Sequence, residues 1–140
     1  MSTMGIDLGS RRVGLAVSES GLLARPCSVL QHWTDENDLI HRISEMAADL
    51  QVERFVVGIP RTLRSDRFVA AAKFEHFAEA LRQRTGREVI LWDETLTTVA
   101  AEERMRAAGV PARKRAARID MEAATVILQT FLDEQGRRSS

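Results

Sequence analysis

Apolar residues recur along the chain with two different periods, and each change of period marks an element. Met4–Leu8 is a short apolar run ending at Gly9, and Val13–Ser18 is a second; both read as buried strands. The Gly9-Ser-Arg-Arg12 link between them suits a hairpin. Ser28–Gln31 predicts a third short strand. From Asp35 to Leu50 the residues Leu39, Ile43, Met46 and Leu50 fall at helix spacing. Arg54–Ile59 is a continuous apolar strand stopped by Pro60, and such a run suits a sheet covered on both faces. Ser65-Asp66 can cap a helix whose inward stripe is Ala70, Phe74, Phe77 and Leu81, ending near Gly86. Glu88–Trp92 is a fifth strand. Thr97–Ala108 predicts a helix closed by Gly109, with Pro111 beyond it. A last helix, over Ile119–Glu134, carries Ala123, Ala124, Ile127, Leu128 and Phe131 inward.

Early hairpins followed by alternating helices and strands predict an α/β fold: a five-stranded mixed sheet with helices on both faces. The 140 residues suit one domain, expected over residues 1–136, with 137–140 as a disordered tail. At 44% hydrophobic and 29% charged, the chain reads as an ordinary globular protein. No apolar run approaches the roughly 18 residues of a membrane span, and Met1-Ser-Thr-Met-Gly-Ile-Asp7 does not read as a signal peptide. The single cysteine, Cys27, excludes an internal disulfide framework and a cysteine zinc cage. A cytoplasmic location without membrane contact is therefore expected, as a monomer or homodimer.

Twenty basic and twenty acidic side chains cancel, so the whole molecule does not attract polyanions. The distribution matters more. Arg104, Arg106, Arg113, Lys114, Arg115 and Arg118 lie in one stretch without an acid. Gly109 and Pro111 break helix continuity, and the cations that follow are too dense to bury. A mobile, exposed loop up to Arg118 is expected.

Four acids occupy unusual places. Asp7 sits inside an apolar strand, where an unpaired charge costs several kcal/mol to bury. Asp93-Glu94 follows the apolar run Val89–Trp92, at the strand end where α/β sheets place ligands. Asp120 begins the helix face that continues through Ala123, Ala124, Ile127 and Phe131. Each acid also has an ordinary use. Asp7 can pair with Arg11 or Arg12, Asp93 can start a turn that Thr97 or Thr98 caps, and Asp120 can favour a helix N-terminus. Taken together they share an explanation, because inward acids from three segments with no His or Cys beside them suit a hard divalent cation, Mg²⁺ or Mn²⁺. His32, His41 and His76 have no ligand-like spacing, and the last two lie on helices where a solvent-facing place is the default.

The element order is that of the ribonuclease H-like fold. Four segments then resemble the YqgF/RuvX-like family, the pre-16S rRNA nucleases also called Holliday junction resolvases. They are Gly5-Ile-Asp-Leu-Gly-Ser-Arg-Arg-Val-Gly-Leu-Ala-Val-Ser18, Val56-Val-Gly-Ile-Pro60, Asp93-Glu-Thr-Leu-Thr-Thr98 and Asp120-Met-Glu-Ala-Ala-Thr-Val-Ile-Leu-Gln129. Actin-like ATPases open with a motif similar to the first, but they need a second lobe for which 140 residues leave no room.

The resemblance implies a ribonuclease H-like nuclease that hydrolyses phosphodiester bonds with Mg²⁺ or Mn²⁺, in 5′-end processing of pre-16S rRNA. Asp7, Asp93, Glu94 and Asp120 match the family's catalytic acids, with Asp7, Glu94 and Asp120 as the metal set. A strand end can present either Asp93 or Glu94, so the direct ligand between them stays open. Arg11, Arg12, Arg61, Arg113, Lys114 and Arg115 are the expected contacts to nucleic acid, structured RNA or branched DNA. Two features depart from the family: Thr95 stands where Arg is common, and Arg61-Thr-Leu-Arg-Ser-Asp66 replaces an Asn-Met-Asp-Gly-like loop. A Holliday junction resolvase, or a catalytically silent nucleic-acid-binding module, are the alternatives these departures keep in play.

Overall fold

The computed structural model of the chain describes residues 1–60, 67–94, 107, 109 and 112–139. Strand β1 (Thr3–Leu8) turns back into β2 (Arg12–Ser18), antiparallel, with Asp7 opposite Gly14 and Leu8 opposite Val13. The Gly9 amide closes the turn on the Arg12 carbonyl at 3.1 Å. A Cβ on Gly9 would stand 2.4 Å from that carbonyl oxygen, so the turn admits no side chain there. Strand β3 (Arg25–Gln31) pairs antiparallel with β2, with an irregularity at Leu15/Ala16. Helix α1 (Glu36–Asp49) leads to β4 (Arg54–Pro60), parallel to β1. Helix α2 (Arg67–Thr85) leads to β5 (Glu88–Glu94), parallel to β4, and α3 (Ala112–Ser139) closes the chain. The sheet order is β3-β2-β1-β4-β5, mixed as expected.

Strand alternation divides the core into two layers. Met4, Ile6, Val13, Leu15, Val17, Phe55, Val57 and Val89 face α1 and α2, which bury Leu39, Ile43, Phe74, Phe77 and Leu81 against them. The opposite face carries Ala16 and Val56 and receives Ala124, Ile127, Leu128 and Phe131 of α3. Two further positions on this face are glycines, and α3 settles close to the sheet because of them. A Cβ on Gly5 would meet Leu128, and one on Gly58 would meet Ile127.

The link into α1 is tied down locally. The Asp35 carboxylate accepts from the Asp38 amide at 2.8 Å, and the Asp38 carboxylate accepts from the Thr34 amide at 2.9 Å. The Thr34 amide holds the Asp38 carboxyl below its ordinary range, against burial and with help from Arg42. Arg42 also donates to the carbonyls of Gln31 and His32, at 2.9 and 3.2 Å.

Three expectations are corrected. Strand β5 does not end at Trp92 but continues through Asp93 and Glu94, because parallel pairing with Ile59 and Pro60 carries it on. The expected loop up to Arg118 is helical from Ala112 onward. Ala, Arg and Lys are among the strongest helix formers. The same helix runs past Glu134 to Ser139, so the backbone of 137–139, expected as tail, is helical. The helix expected over Thr97–Ala108, the Ser65-Asp66 cap and Arg61 lie outside the described residues, apart from Ala107. Among the described residues, no helix is long and apolar enough to cross a membrane.

Candidate active site

Asp7 is the next-to-last residue of β1. Met4, Ile6 and Leu8 belong to the layer beneath α1 and α2, so the alternate positions Gly5 and Asp7 belong to the face under α3. Asp7 is half-buried there.

Helix α3 runs antiparallel to β1, as three contacts establish. The Arg54 guanidinium lies 5.0 Å from the centre of the Phe131 ring, and Arg54 is in register with Thr3 and donates to its hydroxyl at 2.8 Å. Phe131 thus marks the start of β1. Earlier on the helix, Leu128 and the Ala124 carbonyl lie over Gly5. One more turn back is position 120. Four helical residues rise about 6 Å and two strand residues about 6.7 Å. Counted from Leu128 over Gly5, the level of Asp7 therefore falls about one turn earlier, near Ala124, and position 120 lies on the same stripe about one turn beyond it, toward the β1–β2 turn. Ala123, assigned to this stripe from the sequence, instead clusters with Val126 and Ile119 on a neighbouring one.

The register across the sheet brings in the second acidic segment. Ile6 pairs with Val57, and Val57 with Leu91, so the next row sets Asp7 level with Gly58 and Trp92. Val89 and Leu91 belong to the α1/α2 layer, while Ile90 and Trp92 pack with α3. Trp92 stands edge-on to Phe131 at 5.4 Å and donates to Thr130 at 3.3 Å. Continued for two residues, the alternation puts position 94 on the α3 face and position 93 on the other. The parallel partners agree: Asp93 pairs with Ile59 of the α1/α2 layer, and Glu94 pairs with Pro60, two residues beyond Gly58.

Positions 7, 94 and 120 thus share one face at one end of the sheet. Asp7 is the member of this set whose side chain is described, and among the described side chains no group of three potential ligands forms. Arg11 and Arg12 are exposed on the β1–β2 turn at the same end. Positions 113–115 lie in the opening turn of α3, fewer than three turns before position 120. His41 and His76 lie elsewhere, as expected for solvent-facing groups: His41 meets Glu45 at 3.1 Å, and His76 meets Glu36 at 2.9 Å, both largely exposed.

Two features escaped the sequence reading. Glu122 is buried on α3, 8% exposed, on the stripe of Thr125 and Gln129. Gln129 accepts from the Ala24 amide and donates to the Leu22 carbonyl, so this stripe faces the β2–β3 connection. A count of apolar positions alone passes over such a polar inward stripe. The second is an open groove of about 750 Å³ between the β1–β2 turn and the Gln31–Trp33 segment. Its shape depends on tertiary bonds that no local pattern announces.

Known proteins match the chain over nearly its whole length. A family model described as RuvX, Holliday junction resolvase, matches residues 1–134. A protein of Anaeromyxobacter sp. (strain Fw109-5) is 42% identical over 134 residues, covering 95% of this chain and 97% of its own length. One of Mycobacterium leprae (strain Br4923) is 45% identical over 134 residues, covering 94% of this chain and 72% of its own. Both carry the name "Putative pre-16S rRNA nuclease". Among solved structures, T. thermophilus RuvC in complex with Holliday junction substrate superposes with a TM-score of 0.59 at 17% identity. That match covers 97% of this chain and 96% of RuvC, a likeness of fold.

Proposed function

The chain belongs to the RuvX family of Holliday junction resolvases, and from that membership we propose that it is a metal-dependent nuclease hydrolysing phosphodiester bonds in pre-16S rRNA. One observation supports the site: Asp7 lies on the face, and at the sheet end, where positions 94 and 120 fall, without histidine or cysteine in the set. Asp7, Glu94 and Asp120 would hold Mg²⁺ or Mn²⁺, since carboxylate oxygens are the donors such hard cations prefer. Bound there, the cation would neutralise phosphate charge and lower the pKa of an attacking water.

The protein's own share is positioning. Three acids on separate elements offer a fixed anionic seat, and the α3 helix, held to the β1 backbone at Gly5, keeps that seat from widening. Asp93, one position off this face, is left with a structural task at the strand end. Arg11, Arg12, Arg113, Lys114 and Arg115 offset the repulsion between a polyanion and clustered carboxylates, contacting phosphates on either side of the scissile bond. An rRNA substrate fits a cytoplasmic protein.

The test offers the purified chain three labelled substrates, with Mg²⁺, Mn²⁺ or EDTA: a pre-16S rRNA fragment, junction DNA and unstructured RNA. Cleavage of the rRNA fragment only with metal, lost in Asp7→Asn while binding persists, is the expected result. Asp7→Asn cleaving at the wild-type rate would overturn the site. Cleavage confined to junction DNA, the substrate named in the family's description, would move the substrate and leave the chemistry.

A further inference from the structure

We infer that the groove beside the β1–β2 turn seats a single-stranded stretch of the substrate next to the acids, with phosphate at Arg11 and Arg12 and a base against Trp33. The inference rests on reading the chain as a nucleic-acid enzyme, and it adds a binding subsite to that reading.

The groove has about 750 Å³ of volume, within the range of pockets that hold small ligands. One wall is the Gly9–Arg12 turn and the other is the Gln31–Trp33 segment. Among the described residues, no acidic one lines either wall. Arg11 and Arg12 are exposed, whereas Trp33 is half-buried. Trp33 packs partly against the α1/α2 layer and also lines the groove, so an apolar ring is offered from a fixed base. A cationic wall opposite a supported aromatic ring is the arrangement that binds single strands. Phosphates meet the guanidinium groups, and any base can stack, because every base has a π-face.

Both walls are set before any ligand arrives. The turn is closed by the Gly9 amide on the Arg12 carbonyl, at a position without room for a side chain. On the far wall, His32 is held at a φ of 58°, in the left-handed region that a histidine adopts at some cost. Arg42 pins that conformation by donating to the carbonyls of Gln31 and His32, and is itself fixed by Asp38 at 3.0 Å. Such preorganisation lowers the entropy lost on binding.

The location also fits. Gly9 follows Asp7 by two residues, and β3 lies two strand spacings from β1, about 10 Å. Asp7 lies on the α3 face and Trp33 packs on the α1/α2 side, so a strand leaving the acids reaches the ring by passing over the end of β1 and β2 at the Gly9–Arg12 turn.

The test uses the chain's two tryptophans. Trp92→Phe leaves Trp33 as the sole indole, and its emission is titrated with unstructured RNA and DNA 12-mers in EDTA, while anisotropy of labelled oligonucleotide measures binding independently. Saturable quenching of Trp33 is expected. Trp33→Ala should weaken binding about tenfold, the loss of one stacked base, whereas Trp33→Phe should keep most of it. Arg11→Ala with Arg12→Ala should weaken it at least as much. Binding by anisotropy with silent Trp33 emission, full affinity in a folded Trp33→Ala, or no binding of any oligonucleotide would each overturn the inference. The outcomes separate from those of the nuclease reading. Quenching without metal-dependent cleavage keeps the groove and removes the chemistry; cleavage with a silent Trp33 does the reverse.

Discussion

Gly5 of β1 lies directly under Leu128 of α3: a Cβ on the glycine would stand 2.7 Å from the Leu128 Cβ and 3.0 Å from the Ala124 carbonyl oxygen. Neither atom can swing aside, since one is fixed to the helix backbone and the other belongs to it. Gly5→Ala must therefore lift α3 off β1, and it should destabilise the fold by about 1–3 kcal/mol, the usual cost of overpacking. At Gly58 the neighbours are the Ile127 Cδ1 at 2.4 Å and Cγ1 at 2.7 Å, the outer part of a side chain. Gly58→Ala should cost less, and Ile127→Val should recover part of it. Urea unfolding of these variants beside wild type checks the order, and a Gly5→Ala protein as stable as wild type would refute it.

Much of this architecture was legible along the chain, because strand and helix cores announce themselves by period. Asp7 was found because a charge interrupts an apolar strand. The fate of Asp93 and Glu94 was not legible. Two acids end any apolar run, and only pairing with Ile59 and Pro60, about 34 residues earlier, shows that the strand continues through them. The segment 112–118 misled in the opposite way: its charge density suggested a loop, while its Ala, Arg and Lys composition favours the helix that forms. His32 takes its left-handed conformation among carbonyl bonds from Arg42, ten residues on, a contact no window of hydrophobicity contains.

The register makes a sharp distinction between the paired acids. Position 94 shares the α3 face with Asp7, and position 93 does not. Glu94→Gln should lower metal-dependent cleavage by about a hundredfold or more, as expected when a group needed in the transition state is removed. Asp93→Asn should cost less than about tenfold. Single-turnover rates at saturating enzyme decide it, and equal losses in both variants would show that the alternation does not govern the site.

Asp38 links the groove wall to pH. Its carboxyl titrates below its ordinary value of 3.8, chiefly through the hydrogen bond from the Thr34 amide. A depressed carboxyl contributes stability that is fully present above 3.8 and is lost as pH falls through the folded-state pKa. Asp38→Asn should therefore lower the urea midpoint at about pH 6, and the gap from wild type should close as the pH drops below 3.8. A gap of constant size from about pH 6 to about pH 2 would mean that the carboxylate's charge is irrelevant to the cap. The same variant frees Arg42 from one of its anchors, so Trp33 quenching should weaken with it.

The opening turn of α3 carries Arg113, Lys114 and Arg115 and no acid. This is the wrong sign for a helix start. The N-terminus of a helix carries a partial positive charge, and cations there are unfavourable by roughly 0.3–1 kcal/mol each where acids would be favourable by as much. Intrinsic propensity favours Arg and Lys inside a helix, but in the first turn the dipole opposes them, so an external anion is the natural reason for placing them there. Replacing all three with Ala should then separate two quantities that usually move together. Thermal stability should hold or rise, because the repulsion is removed and Ala is the best helix former. Nucleic-acid affinity should fall across sequences, with the log–log salt slope dropping by roughly 0.7–0.9 for each phosphate that is no longer neutralised. Binding measured from low to high salt beside a thermal melt reads both. A triple variant with an unchanged slope would leave the cations as solvated surface. One that loses stability along with affinity would show that they serve the helix rather than the substrate.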